Sequence, residues 1–163
     1  MSNQTTQNYT IITEVPGIGA TTEQIERICH RYIVASRYCA GKRVLEVACG
    51  AGLGLGYLIK TANKVIGGDY TDANIRIAKE QYQSRLDLLR FDAHQLPFVD
   101  GFFDTLVVFE AIYYFQDPDR FIKECRRVLR SGGKLVLCSV NKDWEAFNPS
   151  PFNVGYHSAP ELY

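Results

Sequence analysis

Four acidic residues, Glu46, Asp69, Asp92 and Glu110, each stand at or just past the end of a short apolar run. Gly50 and Gly52 follow the first of them. Carboxylates placed in this way accept hydrogen bonds from hydroxyls and amines and offset a nearby positive charge. Glycines in a turn after a strand let backbone N–H groups approach a ligand, with the N-terminus of the next helix behind them. The pairing of the two is informative. A pyrophosphate would be repelled by Glu46, whereas an ammonium or sulfonium group would be attracted to it. Each acid taken alone has a plain reading as a helix cap or solvated turn, but four in register at successive strand ends do not.

Spacing narrows the ligand. The dinucleotide fingerprint G-x-G-x-x-G requires a third glycine, and counting from Gly50 or Gly52 the place falls on Leu55 or Tyr57. Asp69 follows the glycine turn by roughly the twenty residues at which a ribose-binding acid is expected. It is suited to accept hydrogen bonds from both hydroxyls of a cis-diol. Asp92 suits an exocyclic amine such as that of adenine, and Tyr70 offers an aromatic face to a purine.

The elements that must hold these residues alternate between strand and helix patterns. Thr21 and Gln24 form a capping box for a helix over Thr22 to Cys39, which Gly41 stops. The strand Val44–Val47 runs into the glycine turn, and a helix opens near Leu53. A second strand, Val65-Ile66, ends in Gly67-Gly68-Asp69, and Thr71 is placed to cap the helix after it. A third, Leu86–Phe91, ends at Asp92, and a fourth, Thr105–Phe109, ends at Glu110. Asp117-Pro118 starts a further helix, which Ser131-Gly132-Gly133 is expected to end before a fifth strand, Lys134–Val140. Apolar strands separated by helices predict a doubly wound, Rossmann-like α/β domain with a parallel sheet. Ligands bind such sheets at the carboxyl ends of the strands.

Composition limits the alternatives. With 163 residues, 46% of them hydrophobic, the chain can bury one good core. Eighteen Lys and Arg balance eighteen Asp and Glu, so no net field attracts nucleic acid or an anionic membrane. Cys29, Cys39, Cys49, Cys125 and Cys138 are odd in number and form no C-x-x-C pair, which predicts reduced thiols and a cytoplasmic setting. Residues 1–8 are polar and read as a disordered tail, not a signal peptide. His30, His94 and His157 stand apart in sequence, with no metal-ligand spacing, and are read as structural.

The segment Glu46 to Gly52 reads E-x-A-x-G-x-G and resembles the D/E-x-G-x-G-x-G motif of class I S-adenosylmethionine-dependent methyltransferases. Later segments are similar to that family in the same order. They are Ile66-Gly67-Gly68-Asp69, Asp92 to Phe98, Phe103-Asp104, Glu110 to Pro118, and Arg127-Val128-Leu129-Arg130-Ser131-Gly132-Gly133-Lys134-Leu135. The last resembles the R-V-L-K-P-G-G-x-L of small-molecule methyltransferases of the ubiquinone-biosynthesis-like type. Ala48 replaces a glycine of the motif, which is expected to be tolerated only if that residue does not need positive φ.

The resemblance implies S-adenosylmethionine as cofactor and S-adenosylhomocysteine as product. It implies that Glu46, Ala48, Cys49, Gly50 and Gly52 frame the aminoacyl end. It gives Asp69 to the ribose hydroxyls, Asp92 and the Ala93 backbone to the adenine, and Phe109 and Glu110 to the floor under the sulfonium. It gives no metal site. Tyr113 and Tyr114 stand where the family commonly has histidines, so the usual candidate base is missing and no catalytic residue is assigned. Both tyrosines are expected to pack beneath the pocket. The acceptor is expected to be a small molecule.

Residues 9–41 would form a helical cap, with Arg31 or Tyr32 near the cofactor's carboxylate, and 42–163 the cofactor-binding core. Ser158 to Glu161 is a capping box close to the last residue, Tyr163. Family members continue into an antiparallel hairpin beside the fifth strand. A chain cut short, or a homodimer covering that edge, is the expectation. Trp144, Phe147 and Phe152 would lie over the pocket mouth or patch the edge. Two other readings remain open, a cofactor-binding module without catalysis and an NAD-dependent oxidoreductase.

Overall fold

The computed structural model describes residues 9–13 and 19–162; the expected tail, 1–8, lies outside the described residues. Five strands, β1 (Arg43–Val47), β2 (Lys64–Asp69), β3 (Asp87–Arg90), β4 (Phe103–Phe109) and β5 (Leu129–Cys138), form one parallel sheet in the order β3-β2-β1-β4-β5. Four helices, α1 (Thr22–Cys39), α2 (Leu55–Leu58), α3 (Asp72–Tyr82) and α4 (Pro118–Val128), cover it. Strand order reverses between β1 and β4, and the crevice at their carboxyl ends is where such a sheet takes its ligand.

Side-chain alternation along the central strands explains the two layers. Leu45, Val47, Leu106 and Val108 pack with Phe103, Phe121, Cys125 and Val128 on the α4 face. Val44 and Val107 point the other way, into Ala35, Cys39, Leu55, Leu58 and Ala78. Each fully buried Leu or Phe among them contributes about 1.5–3 kcal/mol. The sheet thus has apolar cover on both sides, as an all-parallel sheet requires.

Helix α1 begins where the capping box predicts. Thr21 Oγ1 accepts from the Gln24 N–H at 3.2 Å, and Gln24 Oε1 accepts from the Thr21 N–H at 2.9 Å. Its far end is tied to β4, where the Thr105 hydroxyl donates to the Tyr38 carbonyl at 2.8 Å. Asp117 caps α4, accepting from the Arg120 N–H at 2.9 Å.

Four local expectations are corrected. The Ser131-Gly132-Gly133 run does not end a helix: α4 stops at Val128, and these residues lie inside β5, where the register with β4 slips between Phe103 and Thr105. Pairing with β4 outweighs the glycines' weak strand propensity, and the irregularity absorbs them. The helix expected near Leu53 is a single turn. Thr71 occupies the N-cap of α3 but its hydroxyl makes no cap bond; Asp69 Oδ1 accepts the Thr71 N–H at 2.8 Å instead. The Ser158–Glu161 box yields only a 3₁₀ turn, with Glu161 accepting from the Ser158 N–H at 2.7 Å. Among the described residues β5 pairs with β4 alone, and no helix is long and apolar enough to cross a membrane.

Candidate cofactor site

A cleft of about 870 Å³ opens at the carboxyl ends of β1, β2 and β4. Glu46, Ala48, Cys49, Gly50, Asp69, Tyr70, Asp92, Ala93, Phe109 and Glu110 all line it. Gly52 does not. It turns the chain at φ +80°, and its carbonyl accepts the Tyr82 hydroxyl at 2.8 Å, so it shapes the loop from behind.

Ala48 departs from the sequence reading. It has φ +57°, in the left-handed region that an L-alanine enters at a cost of about 1–2 kcal/mol. The motif's glycine position therefore does need positive φ here, and alanine bears the strain. The turn is held nonetheless: the Cys49 N–H donates to the Gly68 carbonyl at 3.0 Å and the Gly50 N–H to Asp69 Oδ2 at 2.9 Å. Glu110, at the end of β4, has φ +49°, so two non-glycine residues in left-handed backbone flank the strand switch. Strain of this kind clusters where a fold positions functional groups.

Glu46 is almost fully buried. The Tyr32 hydroxyl, from α1, donates to its Oε1, while Oε2 is buried with no partner. Burial pushes its carboxyl up to about 8, opposed by the Tyr32 hydrogen bond and by Arg31. Burial and the neighbouring Glu46 likewise hold the Tyr32 hydroxyl well above its usual value, so it stays a donor. Tyr32 reaches Glu46 by crossing Gly54, where an added Cβ would lie 1.8 Å from the Tyr32 ring.

Asp69 is buried and already accepts three hydrogen bonds, from the Gly50 and Thr71 N–H groups and from Asn74 Nδ2 at 3.3 Å. Burial raises its carboxyl above the usual range, and these donors oppose the shift. A carboxylate has about four acceptor positions. A grip on both hydroxyls of a diol therefore needs one of the three donors to yield.

His94 is not isolated. Its Nδ1 lies 2.6 Å from Asp92 Oδ1, which also accepts the His94 N–H at 2.8 Å, and its Nε2 accepts the Asp117 N–H at 3.2 Å. These bonds hold the loop after β3 against the start of α4. Tyr113 stacks on Tyr156 with ring centroids 4.3 Å apart, and its hydroxyl donates to Glu110 Oε2 at 3.3 Å. Tyr114 bonds Ser150, and its ring is 5.5 Å from Tyr9. Both tyrosines pack and line the cleft together.

The rim holds residues that the sequence reading did not single out: Tyr9, Thr13, Arg27, Arg120 and Ser150. Ser150 carries no signal in sequence, because it arrives through the Tyr113 carbonyl, which accepts the Val154 N–H at 2.7 Å. Phe152 lies 6.4 Å from the Tyr9 ring, Phe147 packs on Tyr156, and Trp144 remains exposed. Arg31 pairs with Glu110 at 3.0 Å. No cluster of metal-ligating side chains occurs among the described residues.

Comparison with known proteins agrees with this geometry. Residues 45–137, from β1 to the end of β5, match the family described as "Methyltransferase domain". A protein of Mycolicibacterium smegmatis named "Probable S-adenosylmethionine-dependent methyltransferase" is 34% identical over 143 residues, covering 84% of this chain and 52% of that protein. The phthiotriol/phenolphthiotriol dimycocerosates methyltransferase of Mycobacterium tuberculosis is 42% identical over 114 residues, 65% of this chain and 42% of that one. The chain thus spans about half the length of these relatives. Among solved structures, that of the [4+2]-cyclase SpnF superposes with a TM-score of 0.75 at 26% identity, covering 92% of this chain and 58% of that one. The family match takes in more than half of the chain, including the glycine turn and all four strand-end acids. By that match the chain belongs to the class I S-adenosylmethionine-dependent methyltransferases.

Proposed function

We propose that this chain transfers a methyl group from S-adenosylmethionine to a small-molecule acceptor. The observation that carries the reading is Glu46 Oε2, a buried carboxyl oxygen on the wall of the cleft that has no partner among the described residues. In the free chain burial keeps a proton on this carboxyl; an incoming ammonium is a donor that lets the proton leave and pairs the carboxylate. Glu46 would hold the amino group of the cofactor's amino-acid end, with Arg31 beside its carboxylate. Ala48, Cys49 and Gly50 would bring the turn against that end, with Gly52 setting the turn's path. Asp69 would hold the ribose, Tyr70 would pack on the ring, and Asp92 with the Ala93 backbone would read the adenine. Phe109 and Glu110 would close the floor.

When bound, the cofactor supplies an electrophilic methyl group on a sulfonium. What the chain contributes is alignment of the acceptor and exclusion of water. Tyr9 and Thr13 from before α1 and Ser150 from after β5 line the cleft together. In this reading residues 9–41 form the cap and 42–163 the core. Among the described residues the outer edge of β5 is unpaired, and a second copy of the chain would dock there, which sedimentation of the purified protein tests. The balanced net charge favours a small neutral acceptor over nucleic acid, and a cytoplasmic setting accords with five free cysteines.

Calorimetric titration with S-adenosylmethionine, S-adenosylhomocysteine and NAD tests the cofactor. Micromolar binding of the two sulfur compounds, weakened at least tenfold in Asp69→Ala and absent for NAD, is the expected result. Binding of neither, in a folded chain, would end the assignment. One observation favours a second reading: the structurally similar SpnF is named a [4+2]-cyclase. Tight binding without methyl transfer to any acceptor would support a role of that kind.

A further inference from the structure

We propose that Glu110 is the group that takes the acceptor's proton, and that the acceptor is a neutral hydroxyl compound; this rests on the methyl-transfer reading above. Five carboxyls line the cleft, and four are committed elsewhere. Glu46 is buried on Tyr32 and faces the glycine turn. Asp69 accepts three donors that hold that turn and the start of α3. Asp92 accepts both the backbone and the ring of His94. Asp117 caps α4. His94, the one imidazole on the cleft wall among the described residues, has both ring nitrogens engaged.

Glu110 differs from all of these. Its side chain is 28% exposed, and it lines the cleft. Its oxygens are engaged only by side chains: Oε1 by Arg31 at 3.0 Å and the Cys138 thiol at 3.8 Å, Oε2 by the Tyr113 hydroxyl at 3.3 Å. The latter two are long contacts, and lone-pair positions remain open on both oxygens. The backbone is fixed while the carboxyl is not buried. The Glu110 N–H donates to the Cys138 carbonyl at 2.8 Å, and φ +49° turns the side chain out of the line of β4 into the switch-point crevice. The wall around it, from Tyr113, Tyr114 and Phe109, is aromatic and suits an uncharged acceptor.

The chemistry balances with groups already named. A lone pair of the acceptor's hydroxyl oxygen forms the O–CH₃ bond as the S–CH₃ bond breaks, the sulfur leaves as a neutral thioether, and the O–H proton passes to the Glu110 carboxylate. A hydroxyl becomes strongly acidic as its oxygen gains the methyl group, so a carboxylate paired with arginine is a sufficient acceptor. Such a group typically contributes 10²–10⁴-fold. Tyr113 and Arg31 are positioning residues, which hold the carboxyl on the crevice side.

The test compares the full chain with Glu110→Gln and Glu110→Ala. S-adenosylhomocysteine affinity is read by calorimetry, and methyl transfer is read with a panel of phenols, secondary alcohols and tertiary amines. For hydroxyl acceptors, Glu110→Gln is expected to lower kcat by about 100-fold or more while S-adenosylhomocysteine affinity, to which the isosteric Gln still contributes from the floor, falls by less than about tenfold, and formate is expected to restore part of the Glu110→Ala rate. Hydroxyl methylation by Glu110→Gln within about threefold of the parent would overturn the proposal. Transfer to tertiary amines alone would also overturn it, while leaving the methyltransferase reading intact. Transfer to nothing on the panel by a chain that binds S-adenosylhomocysteine would remove both.

Discussion

Replacing Glu46 with Gln should change how the stability of this protein depends on pH. Burial holds the Glu46 carboxyl at about 8 in the folded chain, against about 4.5 when unfolded. Between those values the unfolded chain has released a proton that the folded chain keeps, so stability falls as pH rises. The loss begins near pH 4.5 and levels off above pH 8. At about 1.4 kcal/mol per unit it totals about 5 kcal/mol, and about 2–3 kcal/mol of it falls between pH 5.5 and 7.5. That is a large share of the stability of a small domain. Gln keeps an oxygen for the Tyr32 hydroxyl but places an N–H₂ where Oε2 has no partner, a constant cost of about 1–3 kcal/mol. The parent should therefore be the more stable near pH 4.5 and lose that advantage by pH 8. Urea unfolding followed by circular dichroism at half-unit intervals measures both curves. Two parallel curves would show that Glu46 does not carry a proton in the folded state, and the reasoning would fail.

The remaining predictions concern the same turn and its supports. S-adenosylmethionine binding should release close to one proton below pH 8, read as a dependence of calorimetric heat on the buffer's ionisation enthalpy, because the incoming ammonium displaces the Glu46 proton. Ala48→Gly should stabilise the chain by about 0.5–1 kcal/mol in urea unfolding, since relief of φ +57° exceeds glycine's entropy cost. Gly54→Ala should drive Tyr32 off Glu46 and weaken cofactor binding at least tenfold by calorimetry, with a lower Tm, because the new Cβ would meet the Tyr32 ring at 1.8 Å. Arg127→Ala should cost about 1–3 kcal/mol in thermal unfolding, since its guanidinium holds Glu124, Asp100 and the Leu96 and Phe98 carbonyls at 2.7–2.9 Å.

The parts of this protein legible from its sequence are those set by local rules. Helix α1 follows from a capping box and a helical apolar period, and the strand-end acids follow from apolar runs that stop at Glu46, Asp69, Asp92 and Glu110. What escaped is set by contacts distant in sequence. Ala48 hides its conformation, because nothing in an alanine announces positive φ; the strand pairing and the Gly68 carbonyl impose it. Gly132 and Gly133 read as a helix stop until β4 pairs beside them and makes them strand. Tyr32 reads as part of an apolar helix face, and only the folded chain sets its hydroxyl on Glu46. His94 likewise gains its role only when α4 brings the Asp117 N–H to it.

The contact of Tyr9 with Phe152 also bears on how the site comes into being during synthesis. A ribosome delivers the glycine turn, Asp69 and Glu110 long before it delivers Ser150 and Phe152, so the crevice exists first as an open trough. Closing the rim joins Tyr9 to Phe152, residues far apart in sequence, so it waits for the later of the two. A nascent chain can thus pair the five described strands before it can enclose a ligand, and cofactor added early would exchange freely until the segment around Val154 settles on Tyr113.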